Sequence, residues 1–200
     1  MTEAIFGLVG VLIGAGLTWY QSYWMSKKES ERAARYLAIR IVCILDQFME
    51  LCAEVVREDG LHFGQPDPEG FRVPKVQAPD APRYPDDVDW KSIDHELMYK
   101  ILAFPSEVNG SARLISDLWD ISQGVNYLHW YSERAFWFSS YGLQAFKLSK
   151  ELAARYGIQQ KSYPGWDPEK EFSEKNARFS VERTQRLVSY HSALRGFYNR

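Results

Sequence analysis

The stretch from Ala4 to Met25, AIFGLVGVLIGAGLTWYQSYWM, constrains this chain more than any other. From Ala4 to Leu17 it holds no charged or strongly polar side chain. A bilayer core about 30 Å thick takes about 20 helical residues to cross, and Thr18 to Met25 supply the remaining length. A single segment in lipid must satisfy its own backbone hydrogen bonds, so the stretch is read as a transmembrane helix despite its glycines. Trp19, Tyr20, Tyr23 and Trp24 form an aromatic cluster suited to a headgroup boundary, with Lys27 and Lys28 beyond it as further interface anchors.

Basic residues set the expected direction. Glu3 is the only charged side chain before the span, whereas Lys27, Lys28, Arg32, Arg35 and Arg40 follow it. The positive-inside rule then places the N-terminus outside and the body in the cytoplasm, as a single-pass membrane protein. A cleaved signal peptide fits less well, because the start is acidic and bulky aromatics follow the apolar run. A buried core helix is the other alternative, since the strictly apolar run is short. Gly7, Gly10, Gly14 and Thr18 share one helical face and include a GxxxG, which lets two helices approach closely. That row predicts contact with a second copy or with another membrane protein.

The rest of the chain reads as an all-α body. Residues 26–58 continue as a juxtamembrane helix, with Leu37, Ile41, Ile44, Phe48, Leu51 and Val55 in a heptad-like seam. Arg40, Asp46, Glu50, Glu54 and Arg57 are its expected wet face. Residues 59–89 form a connector rich in proline and acid, where Pro66, Pro68, Pro74, Pro79, Pro82 and Pro85 forbid regular helix. The expected role is to wrap the bundle, with Phe71, Val73, Val76 and Tyr84 as pegs; a docking strap for a partner is the alternative. Residues 90–200 hold the remaining helices, making a bundle of about four. Trp90 to Phe104 is a short helix capped by Asp89, with Ile93, Leu97, Ile101 and Phe104 as its buried stripe, and Pro105 marks its end. Ser106 to Tyr156 reads as one long helix, with a possible bend near Gly124 or Gly142. Its seam passes from Leu114, Leu118, Ile121, Val125 and Leu128 to the small residues Ser132, Ala135, Ser139 and Gly142, which leave room for a bulky partner. Asp167-Pro168-Glu169 starts a last helix, running to about Leu194, with Phe179, Leu187, Tyr190 and Leu194 near one stripe.

Chemistry is sparsely signalled. Net charge is −2, so no pull toward nucleic acid is expected. The 2 cysteines, Cys43 and Cys52, are nine apart on one helix and cannot bridge each other, which suits a reducing compartment. His62, His95, His129 and His191 show no helical metal spacing, and no catalytic, cofactor, metal or phosphate-cradling motif stands out. No small-molecule ligand is evident. The aromatic fraction of 15% concentrates between Tyr127 and Phe146. There Trp130, Tyr131, Arg134, Trp137, Phe138 and Tyr141 form a candidate partner surface, and Arg134 needs polar partners if buried. The basic face of the last helix, Lys175, Arg178, Arg183 and Arg186, is expected to pair with the acidic connector; contact with anionic headgroups, together with Lys161 and Arg195, is the alternative.

These features predict a membrane-anchored helical interaction module, an accessory or assembly subunit of a membrane-associated complex. A self-oligomerising membrane effector is the alternative. A membrane-bound enzyme with a dispersed site around His95, Glu133 or Arg134 is a third reading.

Overall fold

The computed structural model describes residues 2–61, 64–66, 68, 72–122 and 127–198, with side chains described inside these ranges except at 2–13, 120–122, 127–128, 187 and 190–198. The described chain is all-α. Its helices are α1 (Thr2–Arg57), α2 (His95–Ser122), α3 (Tyr127–Tyr156) and α4 (Pro168–Tyr198), with a 3-10 turn at Trp90–Ser92. Helix α3 packs against each of the other three, and these contacts make the bundle.

The bundle half of α1 buries Ala34, Leu37, Ala38, Ile41, Val42, Leu45, Phe48, Met49, Cys52, Val55 and Val56. This is the wide stripe of a 3.6-residue period rather than a heptad seam. A strict seven-residue step drifts about 20° per repeat on a straight helix. Thus Ile44 is only half-buried and Leu51 exposed, while their neighbours Leu45 and Cys52 are fully buried. The seam closes on the protein's own core.

Helix α2 begins later and ends later than the sequence indicates. Asp89 caps only the 3-10 turn, its Oδ1 accepting from the Lys91 N–H at 3.0 Å. Asp94 caps the helix proper, accepting from the N–H groups of Glu96 at 3.0 Å and Leu97 at 3.2 Å. Pro105 lies inside α2 rather than at its end. Proline removes one backbone donor, but Ile101, Phe104 and Val108 are buried on both sides of it and hold the helix to the core. The expected buried stripe of Ile93, Leu97, Ile101 and Phe104 is found. The seam expected to begin at Leu114 is offset at its start: Leu114 is exposed and Ile115 is buried instead. The single helix expected over Ser106–Tyr156 is two, α2 and α3, and Gly124 lies outside the described residues.

Phe48 of α1, Phe104 of α2 and Tyr141 of α3 join the three helices edge to face, with centroids 5.5 and 6.1 Å apart. The small residues of α3 do make room for a bulky partner. A Cβ on Gly142 would stand 2.4 Å from the ring of Phe172, which is fully buried, so the missing side chain lets α4 lie this close. Helix α4 starts as its sequence signals, with Asp167 Oδ1 accepting from the Lys170 N–H at 3.0 Å. The connector lies on the bundle through Val76, Ala81, Tyr84 and Val88, while Val73 stays exposed and Phe71 is outside the described residues.

Candidate functional site

Two regions hold the residues singled out in the sequence: the free half of α1 and the sealed aromatic centre. From Gly14 to Arg32 every side chain of α1 is exposed, including Leu17, Trp19, Tyr20, Tyr23, Trp24 and Met25. Among the described residues the rings pair along their own helix, Trp19 with Tyr23 at 6.1 Å and Tyr20 with Trp24 at 6.0 Å, and the Lys27 ammonium lies over Trp24 at 5.8 Å. Thr18 Oγ1 donates to the Gly14 carbonyl at 2.9 Å, and among the described residues nothing outside the local helix backbone lies within 4 Å of where a Gly14 Cβ would be. That face of the helix is open. Gly7 and Gly10 belong to the α1 backbone, but their surroundings lie outside the described residues.

Among the described residues no helix is long and apolar enough to cross a membrane. The described part of the expected span, Gly14 to Met25, includes Thr18, Gln21, Ser22 and four aromatic rings with polar edges. Those groups lower its hydropathy. Its most apolar part, Ala4 to Ile13, lies outside the described side chains.

The aromatic patch expected to meet a partner faces inward. Trp130, Tyr131, Arg134, Phe138 and Tyr141 are buried, and Trp137 is half-buried beneath the Arg183 guanidinium. The reason is topological. Helix α3 is central, so its apolar faces meet α1, α2 and α4 rather than an outside surface. Trp130 Nε1 donates to the Ile115 carbonyl at 3.2 Å, and Tyr141 donates to the Glu107 carbonyl at 3.0 Å, tying α3 to α2.

Arg134 finds the partners its burial demands. Its side chain is 3% exposed and pairs with Glu58, which is 6% exposed. It also donates to the Val76 carbonyl and stacks over Trp130 at 4.9 Å. Glu58 in turn accepts from the Lys75 N–H and from the Val76 N–H, the latter at 2.9 Å. One ion pair thus fastens the end of α1, the connector and α3 together. Next to it Gly60 has φ +71°, and a Cβ there would fall 2.2 Å from the Tyr131 hydroxyl. That hydroxyl has no hydrogen-bond partner among the described residues, and burial pushes its pKa up to about 12.

A groove of about 1210 Å³ runs between the end of α1, the start of α3 and the middle of α4. Its basic residues are largely engaged. Arg183 and Arg186 meet Glu133 at 3.3 and 3.4 Å, Arg178 meets Glu182 at 3.0 Å, and Arg57 donates to Glu171 at 2.9 Å. Of the basic face of α4, Arg183 and Arg186 thus pair with α3 and Arg178 pairs within α4; among the described residues none of them meets an acid of the connector. Among the described residues the connector's Asp87 instead meets Arg40 of α1 at 2.9 Å. His129 is exposed, and its Nδ1 accepts from Arg186 at 2.9 Å. His95 is exposed at the start of α2. His62 lies outside the described residues, as does the side chain of His191.

Sequence reasoning missed Asp46, read as part of a wet face. It is buried and accepts from Ser149 Oγ at 2.6 Å. Desolvation raises its pKa, and the Ser149 hydrogen bond and the Lys161 charge oppose that rise. The loop between α3 and α4 covers it, with Lys161 reaching Glu50 of α1. No local signal in the sequence shows that this loop folds back. Among the described residues no group of three His, Cys, Asp or Glu side chains gathers as a metal site.

The chain matches no family model, no curated protein and no solved structure.

Proposed function

We propose that this chain is a membrane-tethered helical interaction module, an accessory or assembly subunit of a membrane-associated complex. In this reading residues 4–25 span the bilayer once, with the N-terminus outside and the bundle in the cytoplasm. The observation that carries it is the free half of α1: a continuous helix leaves the bundle and exposes large apolar and aromatic side chains from Leu17 to Met25. Apolar surface on this scale needs a cover, either lipid or a partner helix. The order along the helix, apolar residues, then aromatics, then Lys27 and Lys28, fits a bilayer boundary. The open face at Gly14 and Thr18 supports a second helix packing there.

The test is purification of the full chain from membranes in a mild detergent, with the particle mass measured and co-eluting proteins identified. A stoichiometric membrane protein that is lost on Gly10→Ile with Gly14→Ile supports the assembly role. A homo-oligomer sensitive to the same pair favours the self-oligomerising effector. A chain recovered entirely without membranes overturns the reading.

A further inference from the structure

Where α1 leaves the bundle, a second cavity of about 830 Å³ opens between residues 28–35 of α1, the turn Ser92–His95, and the end of α3 at Arg155–Gly157. Its charged lining is Lys28, Arg32, Arg35 and Arg155 against Glu31 and Asp94, an excess of positive charge in a protein whose net charge is −2.

The cations divide into two kinds. Arg35 donates to the Gly157 carbonyl at 3.2 Å, and Arg155 meets Asp94 at 2.7 Å. These two are fixed by the frame. Asp94 is fixed as well, since its carboxylate accepts from the first N–H groups of α2 and its own N–H donates to Tyr156 Oη at 2.8 Å. Lys28 and Arg32 are exposed, line the cavity and make no ion pair among the described residues. They remain available for an anion.

Register fixes the depth of this cavity. Because α1 is unbroken, at 1.5 Å per residue Lys28 lies about 6 Å and Arg32 about 12 Å along the axis from Trp24. The headgroup layer adds about 5–8 Å to each side of the hydrocarbon. With the aromatics at the boundary, the cavity mouth stands at the phosphates or just beneath them. Resting on the membrane reading above, we propose that this cavity binds the phosphate headgroup of an anionic phospholipid through Lys28 and Arg32. Such a contact fixes the height and tilt of the bundle against the inner leaflet. Glu31, in the same cavity, disfavours a second phosphate and limits the site to one headgroup.

The experiment uses the full chain. It is floated with vesicles of phosphatidylcholine alone and of phosphatidylcholine with phosphatidylglycerol. In detergent it is titrated with dihexanoyl phosphatidylglycerol, dihexanoyl phosphatidylcholine and inorganic phosphate, with retained lipid read by native mass spectrometry. Expected is selective retention of the phosphatidylglycerol, weakened about thirtyfold by Lys28→Gln with Arg32→Gln at about tenfold or less per basic residue. Both positions are exposed, so an unchanged melting curve identifies a folded variant. Lys147→Gln, exposed on α3, is the remote charge control and leaves binding unchanged. Equal loss on Lys27→Gln and Arg32→Gln means diffuse attraction and overturns the pocket. Inorganic phosphate that matches the lipid overturns the lipid as its source. Flotation with both vesicles but no preference for phosphatidylglycerol overturns the pocket and leaves the membrane reading standing. No flotation with either overturns both.

Discussion

Helix α1 carries two different kinds of surface on one unbroken backbone. From Gly14 to Arg32 all its side chains are exposed, and from Ala34 to Val56 a buried stripe alternates with an exposed one. The second half is amphipathic with a 3.6-residue period and supplies its own cover, because α3 lies along it. The first half has no such alternation: exposed apolar and aromatic residues from Leu17 to Met25 give way to the charged run 27–32. In the proposed reading, a helix of that pattern finds its cover outside the chain. The two halves should therefore fail separately. Damage to one should change localisation and leave the fold, and damage to the other should do the reverse.

The largest effect is expected in the free half. Gly14→Arg together with Leu17→Arg places two guanidiniums near the middle of the proposed span. Each costs about 2.5–3.5 kcal/mol on insertion scales. The chain should then leave the membrane pellet on alkaline extraction, while the melting temperature of the bundle stays put, since neither position touches the bundle. Retention of the double variant in the pellet breaks the comparison.

The sealed half should respond in the opposite sense. Arg134→Leu leaves Glu58 buried without its partner, and it frees the Val76 carbonyl as well. Breaking one side of a buried pair costs about 3–5 kcal/mol, or a fall of about 10 °C in melting temperature for a domain of this size. Adding Glu58→Leu should recover part of the loss, limited by the donors of Lys75 and Val76 that Glu58 now satisfies. Pelleting should not change in either variant. A smaller fall is expected from Gly142→Ala, whose new methyl meets Phe172. Overpacking costs about 1–3 kcal/mol, and the gain in helix propensity over glycine offsets about 1 kcal/mol of it. Phe172→Leu in the same chain should restore stability relative to Gly142→Ala alone, as measured by denaturant unfolding.

What could be read in advance follows from how local the signal was. The stripe Ile93–Phe104, the α4 start at Asp167-Pro168 and the small residues opposite a bulky one are all encoded within a few turns, and they appear in the fold. Pro105 misled because tertiary burial on both sides outweighs one lost hydrogen bond. The run Trp130–Tyr141 was legible as apolar on several faces. Whether those faces meet other helices or an outside partner depends on α3 being central, which is a property of the whole chain order. The Arg134–Glu58 pair joins residues 76 apart, and no window on the sequence contains both. Asp46 escaped for the same reason: the side chains that cover and bond it arrive from α3 and the loop beyond.

Asp46 gives the smallest and most specific test of the sealed half. Burial raises its pKa above the usual 3.8, and its hydrogen bond from Ser149 and the nearby Lys161 charge offset part of that rise. The folded state therefore holds this proton more tightly than the unfolded chain does. Its contribution to stability is fully present below the usual value and is lost as pH rises through the raised one. Glu171 behaves oppositely: the Arg57 hydrogen bond lowers its pKa, so its contribution is present above the usual carboxylate range and lost as pH falls. Asp46→Asn keeps an acceptor for Ser149 and removes only the titration. The melting temperature of the variant minus that of the parent should thus rise from about pH 4 to about pH 7. The same scan on Glu171→Gln should give a difference that becomes more negative over that range. A flat difference for Asp46→Asn would mean that water reaches this carboxylate, and the loop at Lys161 does not seal the bundle half of α1 as described.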